Sequence, residues 1–371
     1  MFKFLVLVIF CLSFQNPENL PGSSESPGIQ KHEHFLARVK KKKPKCNDKK
    51  DNDKDGLKDF PNDPGCKNKK DNSEKNAPVS NPNPETGINL NGRRPFPDNN
   101  PWNRDVSADE VDPNSHNLIA SIGRDRGLHP DFGTVYEGAP IGIPFVVVSG
   151  SQPQVPITSF LYDDESDPGP YPIPSDAPIE GGENGDGDRH VIVVDKDNFV
   201  LYELFRAFKS GNGWKGDSGA VFDLNSNELR PAGWTSADAA GLPIFPGLVR
   251  YEEVVELKEI RHALRFTVSK SRRAYVSPAR HYASSNSSAN LPPMGMRVRL
   301  KASFDISSFS PNVQVILRAL KKYGMFVADN GSDWFISGAP DERWNDEELS
   351  EIKDIKGSNF EVLKMDGIVT E

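Results

Sequence analysis

The chain has 371 residues, 36% of them hydrophobic, with 45 Lys and Arg against 53 Asp and Glu. That length accommodates one large domain or two medium ones. The net charge of −8 is uneven: residues 31–76 carry 15 basic and 9 acidic side chains, whereas residues 77–371 sum to −13, so the bulk of the chain repels polyanions and nucleic acid is a disfavoured partner.

Met1-Phe2-Lys3 leads into the apolar run Phe4–Leu12, one basic residue followed by a core of signal-peptide length that is too short to span a bilayer. Residues 1–15 are predicted to be a cleaved leader, and the mature product to be secreted or held at the cell surface with no transmembrane segment. Phe10 is too bulky to precede a lipid-modified Cys11. Residues 16–45 are rich in Pro, Ser and charge without hydrophobic periodicity and read as a basic disordered linker. Its positive run, Arg38–Lys45, has no interleaved aromatics to stack on bases. Solvation, or attachment to an acidic cell envelope, fits it better.

Residues 46–66 are predicted to be a small disulfide-closed calcium loop. Asp51, Asp53 and Asp55 alternate so that a tightly coiled backbone turns their oxygens inward, and Gly56 permits the sharp turn. Leu57 would offer a backbone carbonyl, Asp59 a side chain or bound water, and Asp63 a further ligand to Ca2+. Cys46 and Cys66 bracket the loop and are the two cysteines left once the leader is removed. This pattern of alternating aspartates with flanking cysteines resembles a single thrombospondin type 3 calcium repeat. The Asp-Pro-Gly-Cys ending is similar to a variant common in exported bacterial proteins. The resemblance covers about twenty residues and implies calcium binding without implying a cooperative array. A second polar linker is predicted for residues 67–94.

Residues 95–368 are predicted to form a mainly β domain, a β-sandwich or barrel with a few C-terminal helices. Gly142–Val148, His190–Val194, Phe199–Phe205 and Ala263–Val268 have strand character, and the second and third are spaced for a hairpin. Short strands with turns between them argue against alternating βαβ units. Ser310, Pro311, the apolar spacing Val313, Ile316, Leu317, Leu320 and the closing Gly324 mark a helix. A second helix runs from Asn345 to about Ile355, with Leu349 and Ile352 on one face. Both read as packing elements.

Gly216-Asp217-Ser218-Gly219 resembles the nucleophile motif of trypsin-like serine proteases, and Ala232–Ser236 resembles the strand that follows it. That resemblance implies a serine hydrolase at Ser218. The matching His and Asp segments are absent, so a tight Gly-rich turn is the preferred reading.

The stretch from Trp214 to Tyr282 concentrates the residue types of a sugar-cleaving site. Asp238, Glu252, His262 and His281 are the candidate catalytic residues, since paired carboxylates suit glycoside hydrolysis. Trp214, Trp234, Arg265, Arg280 and Tyr282 are candidates for substrate binding, by stacking or by neutralising a uronic acid in a lyase reaction. Each also has an ordinary structural role: a turn cap for Asp238, solvent exposure for Glu252, a core histidine for His262. A zinc site from His262, His281 and Asp238 lacks ligand spacing. The acidic turns at residues 163–167 and 183–188 fit a second calcium or plain solvation equally. The domain also resembles uncharacterised exported bacterial proteins sharing stretches such as Trp234–Pro243 and Ser277–Tyr282, which implies nothing about mechanism. Two functions follow as expectations. The first is an exported carbohydrate-active enzyme, glycoside hydrolase or polysaccharide lyase, acting on a polysaccharide or cell-envelope glycan. The second is a non-enzymatic module that binds glycan or protein.

Overall fold

The run Val191-Ile192-Val193-Val194 has no polar face, so its strand must be covered on both sides. In the computed structural model it lies in a four-stranded sheet, with Ile192 and Val194 in one apolar cluster and Val191 and Val193 in another. Residues 43–52, 58, 59, 66, 68–70, 90, 92–136 and 138–370 are described. Two compact units divide the chain, Met1–Pro82 and Asn83–Glu371.

In the first unit, Cys46 and Cys66 are joined by a disulfide with a Cα–Cα distance of 5.6 Å. Asp59 folds back on the start of the loop, its two carboxylate oxygens accepting from the backbone N–H groups of Asp48 at 2.9 Å and Lys49 at 2.8 Å. Asp51 is half-buried. Asp53, Asp55, Leu57 and Asp63 lie outside the described residues, as do the predicted leader and most of both predicted linkers.

In the second unit the strands are β1 (His129–Asp131), β2 (Val135–Tyr136), β3 (Ala139–Pro140), β4 (Val146–Val148), β5 (Ile157–Phe160), β6 (Val191–Asp195), β7 (Val200–Phe205) and β8 (Phe208–Ser210). They continue with β9 (Gly213–Gly216), β10 (Ser218–Asp223), β11 (Leu264–Val268), β12 (Arg297–Leu300), β13 (Met325–Asn330), β14 (Phe335–Ser337) and β15 (Phe360–Val362). Three α-helices join them among the described residues: α1 (Ser115–Ile122), α2 (Pro311–Lys322) and α3 (Asp346–Ser350). The fold is therefore mainly β, with curled sheets and few helices.

A six-stranded sheet has the order β1-β14-β11-β13-β12-β15, and a four-stranded sheet the order β10-β7-β6-β4. Both are mixed. β11 runs parallel to β13, β1 to β14 and β4 to β6, and the remaining pairs within these two sheets are antiparallel. β6 and β7 form the predicted hairpin, with Val191 opposite Leu204 and Asp195 opposite Val200. In the Gly142–Val148 segment only Val146–Val148 is strand. Pro144 has no N–H to give to a ladder, and Gly142 has φ +117°.

Ile192, Val194 and Leu201 from the smaller sheet share one cluster with Leu264, Phe266, Val298 and Val327 from the larger, so the two sheets bury their apolar faces in a common core. Val313, Ile316, Leu317 and Leu320 on α2 enter the same core, as the i, i+3, i+4, i+7 spacing predicts. Ser310 stands at the N-cap of α2 in extended conformation without a side-chain capping bond. Gly324 follows with φ +64°. Asn345 caps α3 by accepting from Glu348 N–H, and a 3-10 turn, Glu351–Asp354, continues that helix. Among the described residues no helix is long and apolar enough to cross a membrane.

Candidate functional site

Between β10 and β11 the chain makes a long excursion, residues 224–263, whose middle part has little regular structure. Its buried backbone groups must therefore find partners in side chains. Ser236 Oγ accepts from Asp238 N–H at 2.9 Å and lies 2.6 Å from the Leu242 carbonyl. Glu203 on β7 reaches across from the smaller sheet and accepts from Ile244 N–H and Phe245 N–H, both at 2.9 Å. Burial pushes the Glu203 carboxyl up to about 7 against the pull of these amides. From the larger sheet, Arg265 on β11 forks onto Asp238, Nε to Oδ2 at 3.1 Å and Nη2 to Oδ1 at 2.9 Å. Burial raises the Asp238 carboxyl and Arg265 opposes that, so the bidentate geometry is that of a charge-assisted pair.

His190 makes the fourth tie. Its Nδ1 is 2.6 Å from Glu180 Oε2 and its Nε2 is 3.0 Å from the Ala237 carbonyl. Both partners are acceptors, which requires a proton on each ring nitrogen. Burial works against that charge, yet Glu180 overrides it and the ring is held up to about 9.

Over this tied segment lies a cleft of about 260 Å³ whose lining includes Tyr162, Glu165, Ser218, Asp238, His281 and Asp329. The loop carrying His281 is fastened to the excursion by Arg280 N–H and His281 N–H, both donating to the Ala240 carbonyl, and by Gly233 N–H donating to the Arg280 carbonyl at 2.7 Å. His281 Nδ1 is 2.7 Å from the Ala239 carbonyl. That oxygen accepts only, so Nδ1 carries a proton and Nε2 is the ring nitrogen left to other partners. Asp329, near the end of β13, is half-buried. Burial pushes its carboxyl up to about 7, the Asp238 carboxylate adds to that, and Arg265 pulls the other way.

The predicted catalytic residues separate into two groups. Asp238 and His281 meet at the cleft. Glu252 and His262 belong to a different buried cluster: Arg250 Nε is 2.9 Å from Glu252, its Nη2 is 2.6 Å from Glu253, and His262 Nε2 is 3.0 Å from Glu253. His262 Nδ1 bonds the Ala263 carbonyl at 2.8 Å. The whole of that quartet is internally satisfied and does not line the cleft.

The predicted binding residues also scatter. Trp214 is buried in the smaller apolar cluster, and Arg265 sits behind Asp238 in the interior. Arg280 Nε donates to the Arg230 carbonyl at 2.8 Å. Trp234 lies half-buried, its ring 5.5 Å from the Arg230 guanidinium. Tyr282 stacks on His281 with ring centroids 5.9 Å apart. Ser218 does line the cleft, but its hydroxyl donates to the Ser236 carbonyl at 2.7 Å. Among the described residues no histidine bonds that hydroxyl.

Asp329 and Tyr162 were not legible as site residues, and Glu165 stood only within the acidic turn 163–167, read as a second calcium or plain solvation. Asp329 stands in Val-Ala-Asp-Asn-Gly, which reads as a strand running into a turn. Glu203 did carry a signal, a charge within the apolar strand Val200–Phe205 that only an internal partner explains. Compared with known proteins, the chain matches no family model, no curated protein and no solved structure.

Proposed function

We propose that this protein is an exported carbohydrate-active hydrolase that cleaves a glycosidic bond in the cleft by acid–base chemistry. The supporting observation is that two groups suited to proton transfer line the same cleft: Asp329, whose carboxyl burial pushes up to about 7, and His281, whose Nδ1 is committed to the Ala239 carbonyl so that any proton it takes up goes to Nε2. A carboxyl kept protonated by burial suits a proton donor, and an imidazole with one nitrogen anchored suits a proton acceptor at the other.

Asp329 gives its proton to the glycosidic oxygen as the bond from that oxygen to the anomeric carbon breaks. His281 Nε2 takes a proton from the water whose oxygen attacks the same carbon. The products are a hemiacetal and an alcohol, and exchange with solvent returns each group to its starting state. Hydrolysis is favoured over uronate elimination because no Lys or Arg lines the cleft among the described residues, and elimination needs a cation on the carboxylate.

The test is reducing-end release from a panel of soluble polysaccharides. Asp329→Asn should lower kcat by about 10²–10⁴-fold with an unchanged circular-dichroism spectrum. The wild-type rate should fall as pH rises past about 7, where Asp329 loses its proton. Full activity in Asp329→Asn would remove Asp329 from the mechanism.

The loop at residues 46–66 is proposed to bind calcium through Asp51, Asp53, Asp55, the Leu57 carbonyl, Asp59 and Asp63. Asp53→Ala with Asp55→Ala should abolish calcium uptake in a titration of the protein, and an unaltered isotherm would rule the loop out.

A further inference from the structure

We propose that the cleft, taken as the hydrolytic site above, accepts a polysaccharide whose rings carry no carboxylate or sulfate, and that Tyr162 and Trp234 hold the sugar adjoining the bond that is cut. The first support is electrostatic. Glu165 and Asp329 line the cleft, the Asp238 carboxylate is 0% exposed and held by Arg265, and His281 is the sole basic side chain of the described lining.

The guanidinium groups that flank it are turned to protein acceptors. Arg265 is forked onto Asp238. Arg230 bonds Asp167, the Glu165 carbonyl and the Thr235 carbonyl, and Arg280 bonds the Arg230 carbonyl. An anionic ring entering here meets the Glu165 carboxylate and no lining Lys or Arg among the described residues to neutralise it, in a recess where salt screens poorly. A hydroxyl-rich ring meets the same oxygens as a hydrogen-bond donor.

The second support is the rim. Leu161 is 64% exposed and Tyr162 47% exposed, an apolar pair standing in solvent where solvent-facing residues are usually polar. Thr235 N–H donates to Glu165 Oε2 at 2.9 Å, and Arg230 bridges the same two segments. This strap fixes the 162–165 turn, which carries the lining residue Tyr162, against Thr235 and Ser236, which also line the cleft, and Trp234 precedes them in the chain. Arg230 lies against the Trp234 ring at 5.5 Å, which restrains it. The Tyr162 ring at the cleft and the Trp234 ring held by Arg230 next to its Thr235–Ser236 wall present faces suited to stacking on a sugar ring.

Affinity electrophoresis of the Asp329→Asn protein through gels containing hydroxyethyl cellulose, glycol chitosan or polygalacturonate separates the possibilities. Retardation by at least one of the first two and none by polygalacturonate is expected. Tyr162→Ala and Trp234→Ala should each weaken that retardation by about tenfold. Preferential retention by polygalacturonate, retention by none of the three, or undiminished retention in both aromatic variants overturns the proposal. If the expected retention is seen while the wild-type protein releases no reducing ends, the hydrolytic reading fails and the ligand class stands.

Discussion

Asp238 and Arg265 are the pair on which the cleft floor depends, and removing one of them is the most decisive perturbation of this fold. Their side chains are 0% and 4% exposed and meet at 2.9 Å. Asp238→Ala strips the counter-ion from a guanidinium that cannot shed its proton. Breaking a buried pair from one side costs about 3–5 kcal/mol, which for a domain of this size lowers Tm by roughly 10 °C. Arg265→Met should cost a similar amount, because it strands the carboxylate instead. The double variant Asp238→Leu/Arg265→Met removes both charges, and its stability should lie within about 2 kcal/mol of the wild type, since apolar replacement of a whole buried pair is often neutral. Urea unfolding followed by tryptophan fluorescence gives all three values. Single-variant losses below about 1 kcal/mol, or losses that simply add in the double variant, would refute the reasoning.

His190 makes stability depend on pH with a definite sign. Its folded value of about 9 exceeds the ordinary 6.5, so its stabilisation is complete below pH 6.5 and is lost as pH rises toward 9. Tm should fall across that window and His190→Gln should flatten the fall; equal slopes in the two proteins would count against the charged ring. Gly324→Ala should destabilise by roughly 3 kcal/mol, because φ is +64° and a Cβ would sit 2.2 Å from the Val298 carbonyl. Gly367→Ala, with φ +69° and open space around it, should cost only about 1 kcal/mol, and denaturant midpoints of the two variants would show whether contact or conformation dominates.

Local patterns carried much of the β-rich architecture. The hairpin of β6 and β7 was readable because Val191–Val194 and Val200–Phe205 are β-branched or aromatic runs parted by Asp195–Asn198, and α2 because four apolar side chains recur at helical spacing. The parallel pairing of β11 with β13 was not, since β12 and α2 intervene and nothing in either strand names its neighbour. The site divides along the same line. Asp238 and His281 were named from residue type and proximity in the chain, and both line the cleft. Asp329 escaped notice because its raised carboxyl comes from burial and from Asp238, far away in sequence. Glu252 and His262 were drawn into the candidate set by density alone, and Arg250 with Glu253 accounts for them without a ligand.

The backbone from Ser236 to Phe245 is sewn to one sheet by Glu203 and His190 and to the other by Arg265. Such a segment has no independent way to come loose: freeing it means severing charged bonds to both sheets, which is the same act as parting them. The Ile244 and Phe245 amides therefore belong to the slowest-exchanging class, protected up to the free energy of complete unfolding. The part of the recess built from this segment is therefore shaped by folding itself, so a ligand that fills it meets little ordering cost there.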